Sequence, residues 1–222
     1  DSRKGRTNTN ETVRFETPPA EQAQVDWKEN IRYITKEDEV LHINVCVFLL
    51  SYSRFRTYLL SISKSQSVLL SFLMESFEAI GGVPKTLLVD NMKTIMDEPR
   101  TQYQAGKINE RFYQFSKDCG FEVKPCIAGR PQTKAKVEAP MKLLDEIHAY
   151  QGKFNYEELH AFIQDLCNRV NSQYHQGTGK IPILHLKKER NLLSPLPNRK
   201  IRDFYKIGHI PLKVNTSNMV SF

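Results

Sequence analysis

The sequence predicts an α/β fold built on a mixed five-stranded sheet, three antiparallel strands followed by two parallel ones, flanked by helices. Two observations lead there. Three apolar, strand-like segments stand between Ala23 and Ile62 with only short polar links, which is the pattern of an antiparallel meander. After them helical and strand periodicities alternate, so a later strand reached through a helix runs parallel to its neighbour.

Residues 1–20 are polar, carry Pro18 and Pro19 and mix four arginines and lysines with glutamates; they read as a flexible basic arm or linker that cannot build a core. Ala23–Trp27 alternates apolar and polar residues in strand fashion, with Asp26 interrupting an apolar surround. Val40–Leu50 is β-branched and strongly apolar, and Thr57–Ile62 follows as a third strand. Ser65 opens a helix in which Val68, Leu69, Phe72, Leu73, Phe77 and Ile80 recur at helical spacing, and Gly81 and Gly82 end it. Leu87–Val89 is a short buried strand that runs into Asp90. A loop containing Pro99, Gln102 and Gly106 leads to a helix over Asn109–Cys119, and Phe121–Cys126 is a fifth strand. The basic stretch from Gly129 enters a helix that starts near Val137 and tolerates Pro140 in its first turn. Tyr156 to about Asn171 forms another helix, after which glycines and prolines break the chain, and Phe204–Val214 reads as strand material.

With 222 residues, 40% of them hydrophobic, the chain is long enough for one good core. Its net charge of +7 and pI of about 9.2 favour a polyanionic partner, nucleic acid first. A membrane role is disfavoured: no basic amphipathic helix faces a broad apolar stripe, and no apolar run approaches spanning length. The four cysteines form no CxxC pair and the six histidines complete no zinc pattern, as expected of reduced structural thiols in a cytoplasmic protein. Because the chain starts at Asp1 without a methionine or signal peptide, it is expected to be a piece of a larger protein.

Three carboxylates stand out: Asp26 on the first strand, Asp90 at the end of the fourth and Glu138 in the first turn of the helix after the fifth. If the first strand lies beside the fourth, Asp26 and Asp90 become neighbours and Glu138 can reach them. Carboxylates so close repel unless a cation neutralises them, and hard oxygen donors suit Mg²⁺ or Mn²⁺. Two such ions about 3.5–4 Å apart activate an attacking oxygen and stabilise a leaving oxygen in phosphoryl displacement. Singly, each acid is also explained by a turn, a cap or a solvated surface. Between Lys124 and Lys142 five basic residues surround Glu138 as the single acid, as suits a metal site that must hold a DNA backbone. Lys93, Arg130, Lys134, Lys136 and Lys142 are the candidates for phosphate contacts, and Lys187–Lys213, with eight basic residues, is a second possible phosphate track.

The segments QVDW at Gln24–Trp27, LLVDN at Leu87–Asn91 and KAKVE at Lys134–Glu138 resemble the three acidic motifs of DDE transposases and retroviral-type integrases. Asp90 lies 64 positions after Asp26, and Glu138 lies 48 after Asp90. The second interval is longer than in retroviral integrases and is similar to that of the IstA-type transposases of the insertion sequence twenty-one family. NSQYHQGTGKIP, from Asn171, resembles the region that follows the integrase core. Ala135 stands where many relatives have glycine.

The resemblance implies an RNase H-like catalytic core over residues 21–175, an extended linker over 176–203 and the start of a truncated small β-barrel over 204–222. It implies that Asp26, Asp90 and Glu138 ligate two Mg²⁺ or Mn²⁺ ions, and that water and then a transposon 3′-hydroxyl attack a phosphodiester without a covalent enzyme intermediate. The implied partners are transposon-end and target DNA, further copies of the chain in a dimer or tetramer, and an AAA+ ATPase helper. The implied setting is the bacterial cytoplasm and nucleoid. Asn91 would orient the second Asp or cap the next turn. The rival readings are a hydrolytic nuclease of the same fold, which cuts without joining, and a DNA-binding scaffold that does not turn over.

Overall fold

A single extra residue in the first strand decides how the two faces of the sheet are filled. Strand β1 spans Gln22–Ile34 and pairs antiparallel with β2, Val40–Leu50, but its register slips by one residue between Lys28 and Ile31. Before the slip Ala23, Val25 and Trp27 belong to one hydrophobic cluster; after it Ile31 and Tyr33 belong to the other. Alternation alone would keep all five on one face, so the bulge is what lets one strand serve both layers. Asn30 adopts a left-handed φ of 54°, which asparagine tolerates, and its N–H donates to Asn44 Oδ1 at 3.0 Å. The sequence expectation for this strand, Ala23–Trp27, stopped before the bulge because Lys28, Glu29 and Asn30 interrupt the apolar pattern.

This computed structural model describes residues 17–127, 139–175 and 178–206. Strand β3, Arg56–Ser61, completes the antiparallel meander, while β4, Thr86–Val89, and β7, Glu122–Pro125, are parallel. The sheet order is β3-β2-β1-β4-β7, the expected mixed five-stranded sheet. A separate two-stranded ribbon, β5 (Met96–Glu98) with β6 (Lys107–Ile108), occupies the segment expected to be a plain loop. It was missed because three- and two-residue strands carry no periodicity to read.

Helix α1, Gln66–Ile80, is capped by Ser65, whose hydroxyl accepts from Val68 N–H, and ends at Gly81 with φ 82°. Helix α2, Glu110–Cys119, starts at Asn109, whose side chain accepts from the N–H groups of Arg111 and Phe112. Both pack on the face lined by Val25, Phe48, Leu87 and Val89, where Phe48, Phe77, Phe115 and Phe121 meet edge-on or stacked. On the other face Leu143 and Ile147 of α3 (Ala139–Ala149) and Leu159, Ile163 and Leu166 of α4 (Tyr156–Ser172) cover Ile43, Val45 and Val47. All four cysteines are buried; burial pushes the Cys119 thiol up to about 12 and the Cys167 thiol to about 11, so these two remain protonated structural groups.

The segment beyond α4 departs from expectation. Instead of an extended linker it forms α5, Pro182–Glu189, a 3₁₀ turn at Arg190–Leu192 and α6, Arg199–Lys206. Phe204 is therefore helical rather than the start of a strand, and residues 207–214 lie outside those described. Helix α6 is docked, not loose: Tyr205 packs edge-on against Phe115 at 4.7 Å between ring centres, and Lys206 reaches Glu78 of α1 at 2.9 Å. Short helices with basic exposed faces and prolines between them read as linker because their apolar anchors, Leu186, Ile201 and Tyr205, are few and far apart.

Candidate active site

Parallel pairing of β1 with β4 matches Gln24 to Leu88 and Val25 to Val89. One step further along both strands come Asp26 and Asp90. Leu87 and Val89 are buried in the α1–α2 face, so by strand alternation Asp90 belongs to the opposite face, and so does Asp26, next to the buried Val25 and Trp27. That opposite face is the one covered by α3, whose first described residue, Ala139, directly follows Glu138 in the chain. Glu138 itself, with Arg130, Lys134 and Lys136, lies outside the described residues. Lys142 is in α3.

Asp26 is held in a mostly enclosed position, its side chain 14% exposed, and Lys28 Nζ donates to its Oδ2 at 2.8 Å. Two residues apart on one strand, the pair shares a face. Lys28 went unnoticed in the sequence because an exposed lysine beside Glu29 looks like ordinary strand surface. The charge on Asp26 is felt nearby: burial, reinforced by that carboxylate, drives the Cys46 thiol well above its usual range.

Asp90 leaves the sheet at the carboxyl end of β4, the edge where open α/β sheets place their sites. Its Oδ1 accepts from the N–H of Asn91 at 2.9 Å. Asn91 neither caps a helix nor reaches back to the carboxylate with its side chain. Its Nδ2 donates to Cys126 O at 3.1 Å, and its Oδ1 accepts from Arg100 N–H at 2.7 Å. Arg100 Nη1 in turn donates to Pro125 O at 2.9 Å. The loop after Asp90 is thereby tied across the ends of β4 and β7, which fixes the backbone that carries the acid. Lys93, in the turn three residues after Asp90, is exposed, as a phosphate-contacting cation requires.

Two carboxylates that the register sets at neighbouring positions of the adjacent strands β1 and β4 are hard oxygen donors of the kind that suits Mg²⁺ or Mn²⁺. Among the described residues no group of three His, Cys, Asp or Glu side chains gathers, and the third acid of the expected trio is not one of them. The second phosphate track fares less well. Arg190 donates to Ile80 O at 2.9 Å, and Arg202 and Lys206 both engage Glu78, so three of its eight cations hold the C-terminal helices in place. Glu189, an acid within that basic stretch, is fully buried; its oxygens accept from Ala20 N–H at 2.8 Å and Ser53 N–H at 3.3 Å. Asn171, in the NSQYHQGTGKIP stretch, is a buried staple of α4 to β3, donating to Arg56 O at 2.8 Å and accepting from Arg56 N–H at 3.0 Å.

No family model matches the chain. It is 64% identical over 210 residues to the transposase for insertion sequence element IS232 of Bacillus thuringiensis subsp. berliner, an alignment covering 95% of this chain and 49% of that one. By sequence, the chain is similar to transposases of insertion sequence elements. The putative transposase for IS5376 of Geobacillus stearothermophilus is 36% identical, over 84% of this chain and 46% of its own length. The transposase for IS21 of Pseudomonas aeruginosa is 28% identical, over 90% and 51%. The chain thus spans about half the length of the curated relatives it matches.

In three dimensions the chain resembles the simian T-cell lymphotropic virus intasome in complex with the PP2A regulatory subunit B56 gamma, with a TM-score of 0.58 at 14% identity, over 81% of this chain and 58% of that one. It also resembles the HTLV-2 integrase catalytic core domain in complex with magnesium, with a TM-score of 0.52 at 12% identity, over 75% and 95%. At such low identity these likenesses establish the fold, which is the RNase H-like fold of integrase cores.

Proposed function

We propose that this chain is the catalytic core of a DNA transposase, which cuts the 3′ ends of transposon DNA and joins them to target DNA, with Asp26, Asp90 and Glu138 as its acidic trio. The observation that carries the reading is the parallel register of β1 and β4, which runs into Asp26 and Asp90 at adjacent strand positions on one face. Kinship with the transposases of IS232 and IS5376 supports it independently.

In this reading the three carboxylates would hold two divalent ions, Mg²⁺ or Mn²⁺, which would supply Lewis acidity to the oxygens of the reacting phosphodiester. The chain's own work is positioning. The Asn91–Arg100 clamp fixes the backbone at Asp90, Lys28 balances the charge of Asp26, and Lys93, Arg130, Lys134, Lys136 and Lys142 hold the DNA backbone. The partners are transposon-end and target DNA, further copies of the chain on that DNA and an AAA+ ATPase helper, in the cytoplasm of a bacterium at its nucleoid. Among the described residues no helix is long and apolar enough to cross a membrane.

The test is a joining assay with the full-length protein, labelled transposon ends and Mg²⁺ or Mn²⁺. Wild type is expected to yield end-to-target products, whereas Asp90→Asn, which removes a ligand charge without changing shape, yields none while binding DNA nearly as well. Normal joining by Asp90→Asn removes that residue from the chemistry. Cut ends without joined products from wild type would make the protein a hydrolytic nuclease.

A further inference from the structure

Tyr103 stands at the tip of the β5–β6 ribbon with 87% of its surface exposed, more than any other large hydrophobic residue described. Neither the acidic trio nor the basic residues account for it. Leaving an aromatic ring in water is unfavourable, and loop tips usually carry small polar residues instead.

The tip is rigidly presented. Thr101 Oγ1 accepts from the N–H groups of Tyr103 and Gln104, at 3.2 and 3.1 Å, and Thr101 N–H donates to Gln104 O at 3.0 Å. Gly106, at φ +78°, closes the base of the loop so tightly that a Cβ there would come within 2.8 Å of Arg100 N and 2.9 Å of Glu98 O. Arg100, three residues before Tyr103, bonds to Asn91 and to the carbonyl of Pro125, so the ribbon is bolted to the strand ends beside Asp90. Three virtual bonds place the Tyr103 Cα at most about 11 Å from that anchor. Duplex DNA rises about 3.4 Å per base pair, so a phosphodiester lying at Asp90 brings bases within the first few nucleotides into reach of the ring.

We propose that the β5–β6 ribbon is a DNA-probing finger, and that Tyr103 stacks on a nucleobase of the transposon end within a few nucleotides of the phosphodiester that is cut. The inference rests on the transposase reading above and adds a residue that reads the DNA near the chemistry. Stacking fits this site because every base offers a π-face to a ring presented on a stiff support, and no charge is needed at the tip.

The experiment places 2-aminopurine at successive positions flanking the cleavage site and follows its fluorescence when the full-length protein binds. One position is expected to be quenched by wild type, by Tyr103→Phe and by Tyr103→Trp, and to lose that quenching with Tyr103→Ala. Affinity for the end should fall on the order of tenfold with Tyr103→Ala, the scale of one base–aromatic stack. Equal fluorescence for wild type and Tyr103→Ala at every labelled position overturns the proposal. So does a Tyr103→Ala protein that binds and cuts the end normally but fails to assemble with its own copies or a second protein, because the tip would then be a protein contact. Asp90→Asn is run in parallel: if it still joins DNA while Tyr103→Ala loses the quenching, the acid assignment fails and the finger stands. Tyr103 makes no core contact, so an unchanged melting temperature separates all of these outcomes from misfolding.

Discussion

Glu189 shows at the scale of one residue how a sequence can mislead. In LKKERN it looks like one more solvated charge, yet it is buried and satisfies the backbone N–H groups of Ala20 and Ser53 from the end of α5. Nothing local in the sequence announces this, because both partners are more than 130 positions away. Losing an acceptor leaves each buried N–H at a cost of about 1–3 kcal/mol. Glu189→Ala is therefore expected to lower stability by about 2–5 kcal/mol, and Glu189→Gln, which keeps one oxygen, by roughly half as much. Thermal melts read the difference, and an unchanged melting temperature for Glu189→Ala would show the carboxylate to be dispensable. The neighbouring strand positions of Asp26 and Asp90, by contrast, were anticipated, because a carboxylate within or just after an apolar strand segment is anomalous in its own stretch. Lys28 and Asn91 were not, since their partners are defined only once the sheet has formed.

Elements that announce themselves through periodicity were placed to within a residue or two: β2, β3, α1, α2 and α4 all stand where apolar spacing and caps put them. What the sequence hid was irregular. The β1 bulge sits among polar residues, and its effect, moving Ile31 and Tyr33 to the opposite face, depends on a count of one residue. Asn30 meets two demands there, a positive φ and an N–H aimed at Asn44, while Asn44 Nδ2 donates onward to Ile62 O at 2.9 Å. Glycine at position 30 meets the first demand as well as asparagine does. A β-branched residue pays for the left-handed conformation, about 1–2 kcal/mol. Asn30→Gly is expected to leave stability within about 0.5 kcal/mol of wild type, and Asn30→Val to lose about 1–2 kcal/mol. Urea titrations measure both, and equal losses for the two variants would show that the side chain rather than the backbone angle matters.

For the molecule as a whole, the relevant quantity is not the net charge of +7 but which of its cations are free to meet phosphate. Lys28 is spent on Asp26, Arg202 and Lys206 on Glu78, and Arg190 on the last carbonyls of α1. A phosphate contact releases counterions, so each one adds about one to the slope of log affinity against log salt, whereas an internal ion pair adds nothing. Lys134, in the basic stretch before Glu138, is proposed as a phosphate contact, while Arg202 braces α6 against α1. Lys134→Ala is expected to weaken binding evenly across duplexes of unrelated sequence and to reduce that slope by about one. Arg202→Ala should leave the slope unchanged and act on thermal stability instead, by up to about 1 kcal/mol for a half-exposed pair. Fluorescence anisotropy over a range of salt concentrations separates the two. If Arg202→Ala flattens the slope as much as Lys134→Ala does, α6 lies on the DNA, and the division drawn between bracing cations and binding cations fails.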